Sequence, residues 1–262
     1  VSADDADPRP VIALVAPDVG NGPLNIVLDG SPWDLTPLEP GTRAETDGER
    51  LHVGDLQIDL GGAKVWEPRP DWPALRTRCA AIEARLPALR AFGLERAREG
   101  SFLALLDEAS SKNPSQEAVL VAARSAIHTL HAGWAGDLAR LREGTAQLAG
   151  LGSGLTPAGD DFLCGAMLWA WLAHPGPGSY CRTIVATAAL RTTTLSAAFL
   201  WAAASGECNA AWHALLDALT QGDDAGVARA AQDVLAHGAT SGADALAGFL
   251  WAATAIPERP HR

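Results

Sequence analysis

Apolar residues are distributed in two textures along the chain. Up to about residue 66 they come in short β-prone runs, Val11 to Val15 and Asn25 to Leu28, separated by the turn formers P-D-V-G-N-G-P and D-G-S-P. A further run, Leu51 to Val53, leads through Gly54-Asp55 to Leu56 to Leu60, which alternates apolar and polar as a half-buried hairpin strand does. These runs predict a small antiparallel sheet or partial barrel. The segment Val65 to Pro73 carries too many prolines for a regular element and marks a boundary. From Pro73 onward apolar residues recur every three or four positions, as in Leu75, Cys79, Ile82, Leu86 and Leu89, the period of an amphipathic helix. Helices are predicted over 73–91 and 94–109. A long one opens at Asn113-Pro114 and runs toward Gly144, with kinks at Gly133 and Gly136. Others follow near 179–191, 194–205, 209–220, 224–236 and 242–255. The expected architecture is α+β: a β-rich domain over residues 1–66 and a large helical domain over 67–262 that carries the glycine-rich motif.

The most informative stretch is G-L-G-S-G-L-T-P-A-G-D-D-F-L-C-G-A-M-L-W-A-W-L, Gly150 to Leu172. Thr156 before Pro157 is a helix-start signature, with Thr as cap and Pro at the first helical position. Gly152, Gly154 and Gly159 allow tight turns and close approach to a ligand. The first-turn amides supply a partial positive charge that attracts anions. Asp160 and Asp161 follow in the first turns, where acids complement the helix dipole and can also hold a cation. Capping chemistry alone is the competing explanation. The pattern returns, however: Gly159, Asp161, Leu163 and Gly165 form G-x-D-x-L-x-G, and so do Gly242, Asp244, Leu246 and Gly248. Each copy follows a Thr (Thr156, Thr240) and precedes a Trp (Trp169, Trp251). The glycine four residues after each Asp shares its helix face and permits close packing. Two helix starts are therefore expected to meet and to direct Asp161 and Asp244 at one cleft.

Charge and composition narrow the picture. A formal net charge of -11, a pI near 5.0 and the lack of a basic stripe argue against a nucleic-acid partner. The longest apolar run, Ala166 to Ala173, is far short of the roughly 20 residues a bilayer demands. The opening V-S-A-D-D-A-D-P-R-P lacks the features of a secretory signal. Cys79, Cys164, Cys181 and Cys208 show no C-x-x-C spacing and read as reduced core residues. These features lead to the expectation of a cytoplasmic protein with no membrane partner.

Other candidates lie outside the central stretch. Arg191-Thr192-Thr193-Thr194-Leu195-Ser196 packs hydroxyls beside an arginine ahead of a helix, for capping or for holding a carboxylate or phosphate. Glu207 could join Asp160, Asp161 and Asp244 as an oxygen ligand for Mg²⁺. His128 and His131 share a helix face without a third zinc ligand. His237-Gly238 stands ahead of the second repeat, placed either as a general acid or as a helix C-cap. No nucleophile elbow, Walker sequence or dinucleotide fingerprint is present.

The segment Gly152-Ser153-Gly154-Leu155-Thr156-Pro157-Ala158-Gly159-Asp160-Asp161-Phe162-Leu163 resembles the hallmark of the family of the AllH-type subunit of bacterial oxamate carbamoyltransferase. Thr194-x-Ser196 with Gly206-Glu207, and the run Gly238-x-Thr240-Ser241-Gly242-x-Asp244, support the resemblance. It implies carbamoyl transfer between carbamoyl phosphate and oxamate in allantoin nitrogen catabolism, beside other subunits. It carries no residue-level roles. The residues themselves suggest that Asp161, Asp244 and His237 act catalytically, while Gly152, Ser153, Gly154, Thr156, Gly159, Asp160, Thr194, Ser196, Thr240 and Ser241 bind a small anionic substrate such as carbamoyl phosphate. The alternative is a noncatalytic anion-binding or scaffold subunit.

Overall fold

The computed structural model describes residues 11–30, 38–107, 114–221 and 223–255. The opening decapeptide and Asn113, the expected cap of the long helix, lie outside them. Strands occupy the first part. β1 (Ala13–Val15) pairs with β2 (Asn25–Val27), and β3 (Ala44–Thr46), β4 (Arg50–Val53) and β5 (Leu56–Asp59) form a three-stranded antiparallel sheet. The β4–β5 hairpin is the expected one, with Val53 opposite Leu56 across Gly54-Asp55. The β1–β2 pair is parallel, contrary to the expected antiparallel sheet. Nine residues separate the two strands, enough chain to return past a three-residue strand before pairing, whereas a hairpin uses two to five.

Helices make up the rest: α1 (Trp72–Thr77), α2 (Cys79–Glu83), α3 (Leu86–Glu95), a 3₁₀ segment (Phe102–Leu106), α4 (Pro114–Trp134), α5 (Leu138–Leu148), α6 (Ala158–Ala173), α7 (Pro177–Ala188), α8 (Thr194–Ala204), α9 (Ala210–Gln221), α10 (Asp224–Leu235) and α11 (Ser241–Ala255). The helix predicted over 73–91 is instead three short ones. Its apolar period holds, but the backbone leaves helical geometry at Arg78, whose φ is -108° and ψ 12°, and α2 and α3 are separate helices that meet at Ala84-Arg85. Of the 94–109 prediction, residues 108–109 lie outside the described residues, and the rest holds only the end of α3 and the 3₁₀ segment. The long helix ends at Trp134, because Gly136 takes φ +119° and reverses the chain into α5. α4 and α5 then pack backbone to backbone. A Cβ at Gly133 would stand 2.3 Å from the Leu141 nitrogen, and one at Gly144 would stand 2.5 Å from the Leu130 nitrogen.

The core is continuous from α1 to α11, with α6 and α11 as its centre; Trp169 and Phe249 meet edge to face at 5.1 Å. The N-terminal part is tied to the α8–α9 loop, where Ala210 N donates to the Asn21 carbonyl and Cys208 N to that of Pro68. No helix among the described residues is long and apolar enough to cross a membrane. The four cysteines form no disulfide with one another.

Candidate functional site

The two copies of G-x-D-x-L-x-G are structurally equivalent. In each, the first glycine lets the backbone touch the preceding helix. A Cβ at Gly159 would lie 2.0 Å from the carbonyl oxygen of Leu148 on α5, and one at Gly242 would lie 1.8 Å from that of Val234 on α10. The second glycine lets the two repeat helices touch each other. A Cβ at Gly165 would stand 1.7 Å from the Ala245 carbonyl oxygen, and one at Gly248 would stand 1.9 Å from that of Phe162. α6 and α11 thus cross by a reciprocal contact of backbone on backbone that only glycine permits. Leu163 and Leu246, between the glycines, are both fully buried.

This crossing brings the two helix starts together. Thr156 Oγ1 and Ser241 Oγ are hydrogen-bonded at 2.9 Å, although 85 residues separate them. The pair corrects one expectation: Thr156 does not cap α6, because Pro157 takes the N-cap position and the helix opens at Ala158. The anion cradle expected at the first turn is also largely occupied. Gly159 N donates to the Leu151 carbonyl, and Asp160 N and Asp161 N to that of Pro157. What remains open is the loop itself. Gly152 to Leu155, including Ser153, is exposed, with φ +120° at Gly152 and +97° at Gly154. Among the described residues, the amides of Gly152 to Thr156 donate to no backbone carbonyl.

Three carboxyls are buried behind this loop. Asp160, 0 % exposed, has both oxygens engaged: Oδ1 accepts from Gly150 N at 3.1 Å, and Oδ2 accepts from the Thr192 hydroxyl. Burial raises its pKa; Thr192, Gly150 and Ser196 pull the other way. Asp160 therefore ties the glycine loop to the start of α8, a structural use. Replacing Thr192 with alanine is expected to leave Oδ2 short of a donor and to cost about 1–3 kcal/mol in urea unfolding; an unchanged midpoint contradicts this role.

Asp161 and Asp244 are different. Asp244, 0 % exposed, accepts from Phe102 N at 2.6 Å through Oδ1, while its Oδ2 has no partner among the described residues. Asp161, 8 % exposed, also has an unpartnered buried Oδ2. Burial pushes Asp161 up to about 8, reinforced by the negative charges of Asp244 and Asp160. The Ser241 and Thr156 hydroxyls oppose the shift. Burial likewise pushes Asp244 up to about 7, against the Phe102 amide and the Thr240 hydroxyl. Ser101 Oγ, one residue from the amide that holds Asp244, is buried and unpartnered as well. No cation contributes to the shift of any of the three carboxyls. The Cys164 thiol is held up by burial and by these same charges, which leaves no thiolate nucleophile here.

Other candidates fall elsewhere. Ser196 is buried beside Asp160, whereas Thr194 is exposed; Thr193, not Thr194, caps α8 and also donates to the Leu155 carbonyl. Glu207 lies beyond the C-terminal end of α8, while Ser196 and Thr192 sit at its start. Eleven residues of helix, about 16 Å, thus separate Glu207 from the acids it was expected to join. Among the described residues, no group of three or more His, Cys, Asp and Glu side chains is placed to hold a metal ion. His237 follows α10, its Nδ1 meets the Asp233 carbonyl at 2.9 Å, and Gly238 is left-handed at φ +63°. This is the capping alternative. Sequence reasoning missed Thr192, Ser101 and the Phe102 amide. Thr192 stood within the flagged hydroxyl cluster, but a backbone amide carries no side-chain signal at all.

Residues 148–253 match the family described as oxamate carbamoyltransferase subunit AllH. No curated protein and no solved structure matches the chain. The matched span opens on the last residue of α5, takes in both glycine-aspartate repeats and runs nearly to the end of α11. What the chain shares with the family described as oxamate carbamoyltransferase subunit AllH is therefore a likeness over residues 148–253, the part that holds both repeats.

Proposed function

We propose that this chain is a carbamoyltransferase subunit that holds carbamoyl phosphate where the starts of α6 and α11 meet, for transfer to a small carboxylate or amide acceptor. The observation that carries this reading is the convergence of Asp161 and Asp244. Each is buried, and each has one oxygen without a partner. The loop Gly152 to Thr156, exposed through Leu155 and with amides that among the described residues donate to no backbone carbonyl, is suited to the anionic end of the substrate. In the transfer the acceptor nitrogen attacks the carbamoyl carbon, the C–O bond to phosphate breaks, and the acceptor nitrogen gives up a proton. A carboxyl titrating near 7 or 8 is well matched to take that proton at neutral pH. Oriented binding and charge stabilisation supply the rest, in line with the lack of a nucleophile and base pair. Work in allantoin nitrogen catabolism, with oxamate as acceptor, is part of the same proposal.

A subunit implies companions, and one observation favours the second reading, a noncatalytic assembly role. Leu155 in the loop is 72 % exposed and Leu190, just ahead of the α8 start, is 90 % exposed. Calorimetric titration of the purified chain with carbamoyl phosphate separates the two. Binding that is lost in Asp161→Asn and Asp244→Asn supports the catalytic reading. Absence of binding, with activity appearing only after the other subunits are added and persisting in both variants, supports the assembly role.

A further inference from the structure

We infer that the α6–α11 junction selects its ligand by the nitrogen end: the unpartnered oxygens of Asp161 and Asp244 read the N–H donors of a carbamoyl or carboxamide group. The inference rests on the proposed carbamoyl-phosphate site and specifies its polarity. A buried oxygen left without a partner costs free energy that a ligand can recover by supplying what the oxygen lacks. Three such atoms belong to this junction, Asp161 Oδ2, Asp244 Oδ2 and Ser101 Oγ: the charge of Asp244 acts on Asp161, and Ser101 precedes the residue whose amide holds Asp244. Two of them belong to carboxyls, which accept from N–H groups once ionised, and the third is a hydroxyl, which can donate to a carbonyl or accept. A primary carboxamide offers two N–H donors and one carbonyl acceptor, the complement of that set.

The same surroundings oppose an anion at this depth. Among the described residues no cation figures in the shift of any of the three carboxyls, and Gly159 N, Asp160 N and Asp161 N are already engaged by backbone carbonyls. A phosphate placed among them would find no free first-turn donor from these residues and would add a second anion wherever one of the carboxyls is ionised. The phosphate end is therefore held outside, at the exposed Gly152 to Thr156 loop, and the carbamoyl nitrogen points inward. Ser101 positions this end by its hydroxyl, and Asp161, the more exposed of the two acids, makes first contact.

Acetyl phosphate tests this, because it keeps the phosphate and the carbonyl and replaces the amino group with a methyl. On the unaltered chain, calorimetric titration is expected to show carbamoyl phosphate binding at least about tenfold more tightly than acetyl phosphate, since a methyl leaves the buried oxygens unpaired. In a chain labelled with ¹³C at its aspartate carboxyls, carbamoyl phosphate should shift two buried resonances that inorganic phosphate leaves in place. Equal affinity for the two acyl phosphates overturns the nitrogen-end reading and leaves the carbamoyl-phosphate site standing. Binding of neither removes both. The ligand comparison requires no substitution, so a variant that fails to fold does not affect it.

Discussion

Alanine at Gly165 or Gly248 is expected to unfold the molecule at markedly lower temperature. Each substitution places a Cβ within 2 Å of a backbone carbonyl oxygen on the opposing helix, 1.7 Å from that of Ala245 or 1.9 Å from that of Phe162. A flexible side chain could swing away, but a carbonyl in the middle of a helix cannot, so α6 and α11 must separate. Overpacking of this kind costs about 1–3 kcal/mol, occasionally more, and backbone against backbone belongs at the upper end. For a chain of this size, that corresponds to a fall of roughly 6 to 12 °C in Tm. Separation also breaks the Thr156–Ser241 contact, so ligand binding should weaken together with stability. Gly178 in α7 is the control. A Cβ there meets its nearest neighbour, the tip of Arg182, at 3.4 Å, and Gly178→Ala should leave Tm unchanged or slightly raised. Equal effects at Gly165 and Gly178 would show that the loss is a matter of helix propensity and not of the crossing.

The second large effect is a dependence of stability on pH set by Asp161 and Asp244. Their folded pKa values, about 8 and about 7, lie above the unfolded value of 3.8. Below pH 3.8 both groups are protonated in either state and contribute no difference. As pH rises from there, the unfolded chain gives up protons that the folded chain retains, so the unfolded state is favoured and stability falls. The decline reaches up to ~1.4 kcal/mol per pH unit for each group and levels off once pH passes about 8. Asparagine is neutral at every pH and nearly the same shape. Asp161→Asn is therefore expected to match or exceed the wild-type Tm above pH 7, to lose that advantage progressively as pH falls toward 3.8, and to lose ligand binding throughout. Asp244→Asn should do the same while keeping the Phe102 amide bond through its own carbonyl. Parallel Tm curves for variant and wild type from pH 5 to 9 would sink the assignment. Function and stability pull in opposite directions at these two positions, as expected where a buried group is kept for its chemistry.

Local patterns predicted well where local forces decide. The hairpin of β4 and β5 follows from alternation around Gly54-Asp55. The helices α8 to α11 begin and end within one residue of expectation, because apolar period and capping residues act over one or two turns, whereas α7 starts two residues early and ends three early, at Ala188. The repeat around Asp161 and Asp244 could be read because glycine at fixed spacing records a close approach, whatever it approaches. Prediction failed where the partner is remote. Thr156 carries the signature of a cap, but its hydroxyl faces Ser241, 85 positions away. The partner that fixes Asp244 is the amide of Phe102, 142 positions away, in a segment whose composition suggested an ordinary helix. Glu207 looked like a fourth acid only because the length of α8 was not counted against it.

The sequence by itself determined that two like-built helices each begin with a glycine, an aspartate and a second glycine on one face. It also determined that a mainly helical body follows a small β part. Spacing and residue size are enough for that, since helix period and steric bulk are properties of the chain. The tertiary structure alone decided which carboxyl became a staple and which kept an oxygen without a partner. Asp160 and Asp161 are neighbours in sequence, but 100° of helix rotation turns one toward Thr192 and Gly150 and the other toward the start of α11. Burial, and with it the rise in pKa that gives Asp161 and Asp244 their chemical character, depends on what packs around them. Neighbours brought together across the whole chain leave no trace in the few residues on either side.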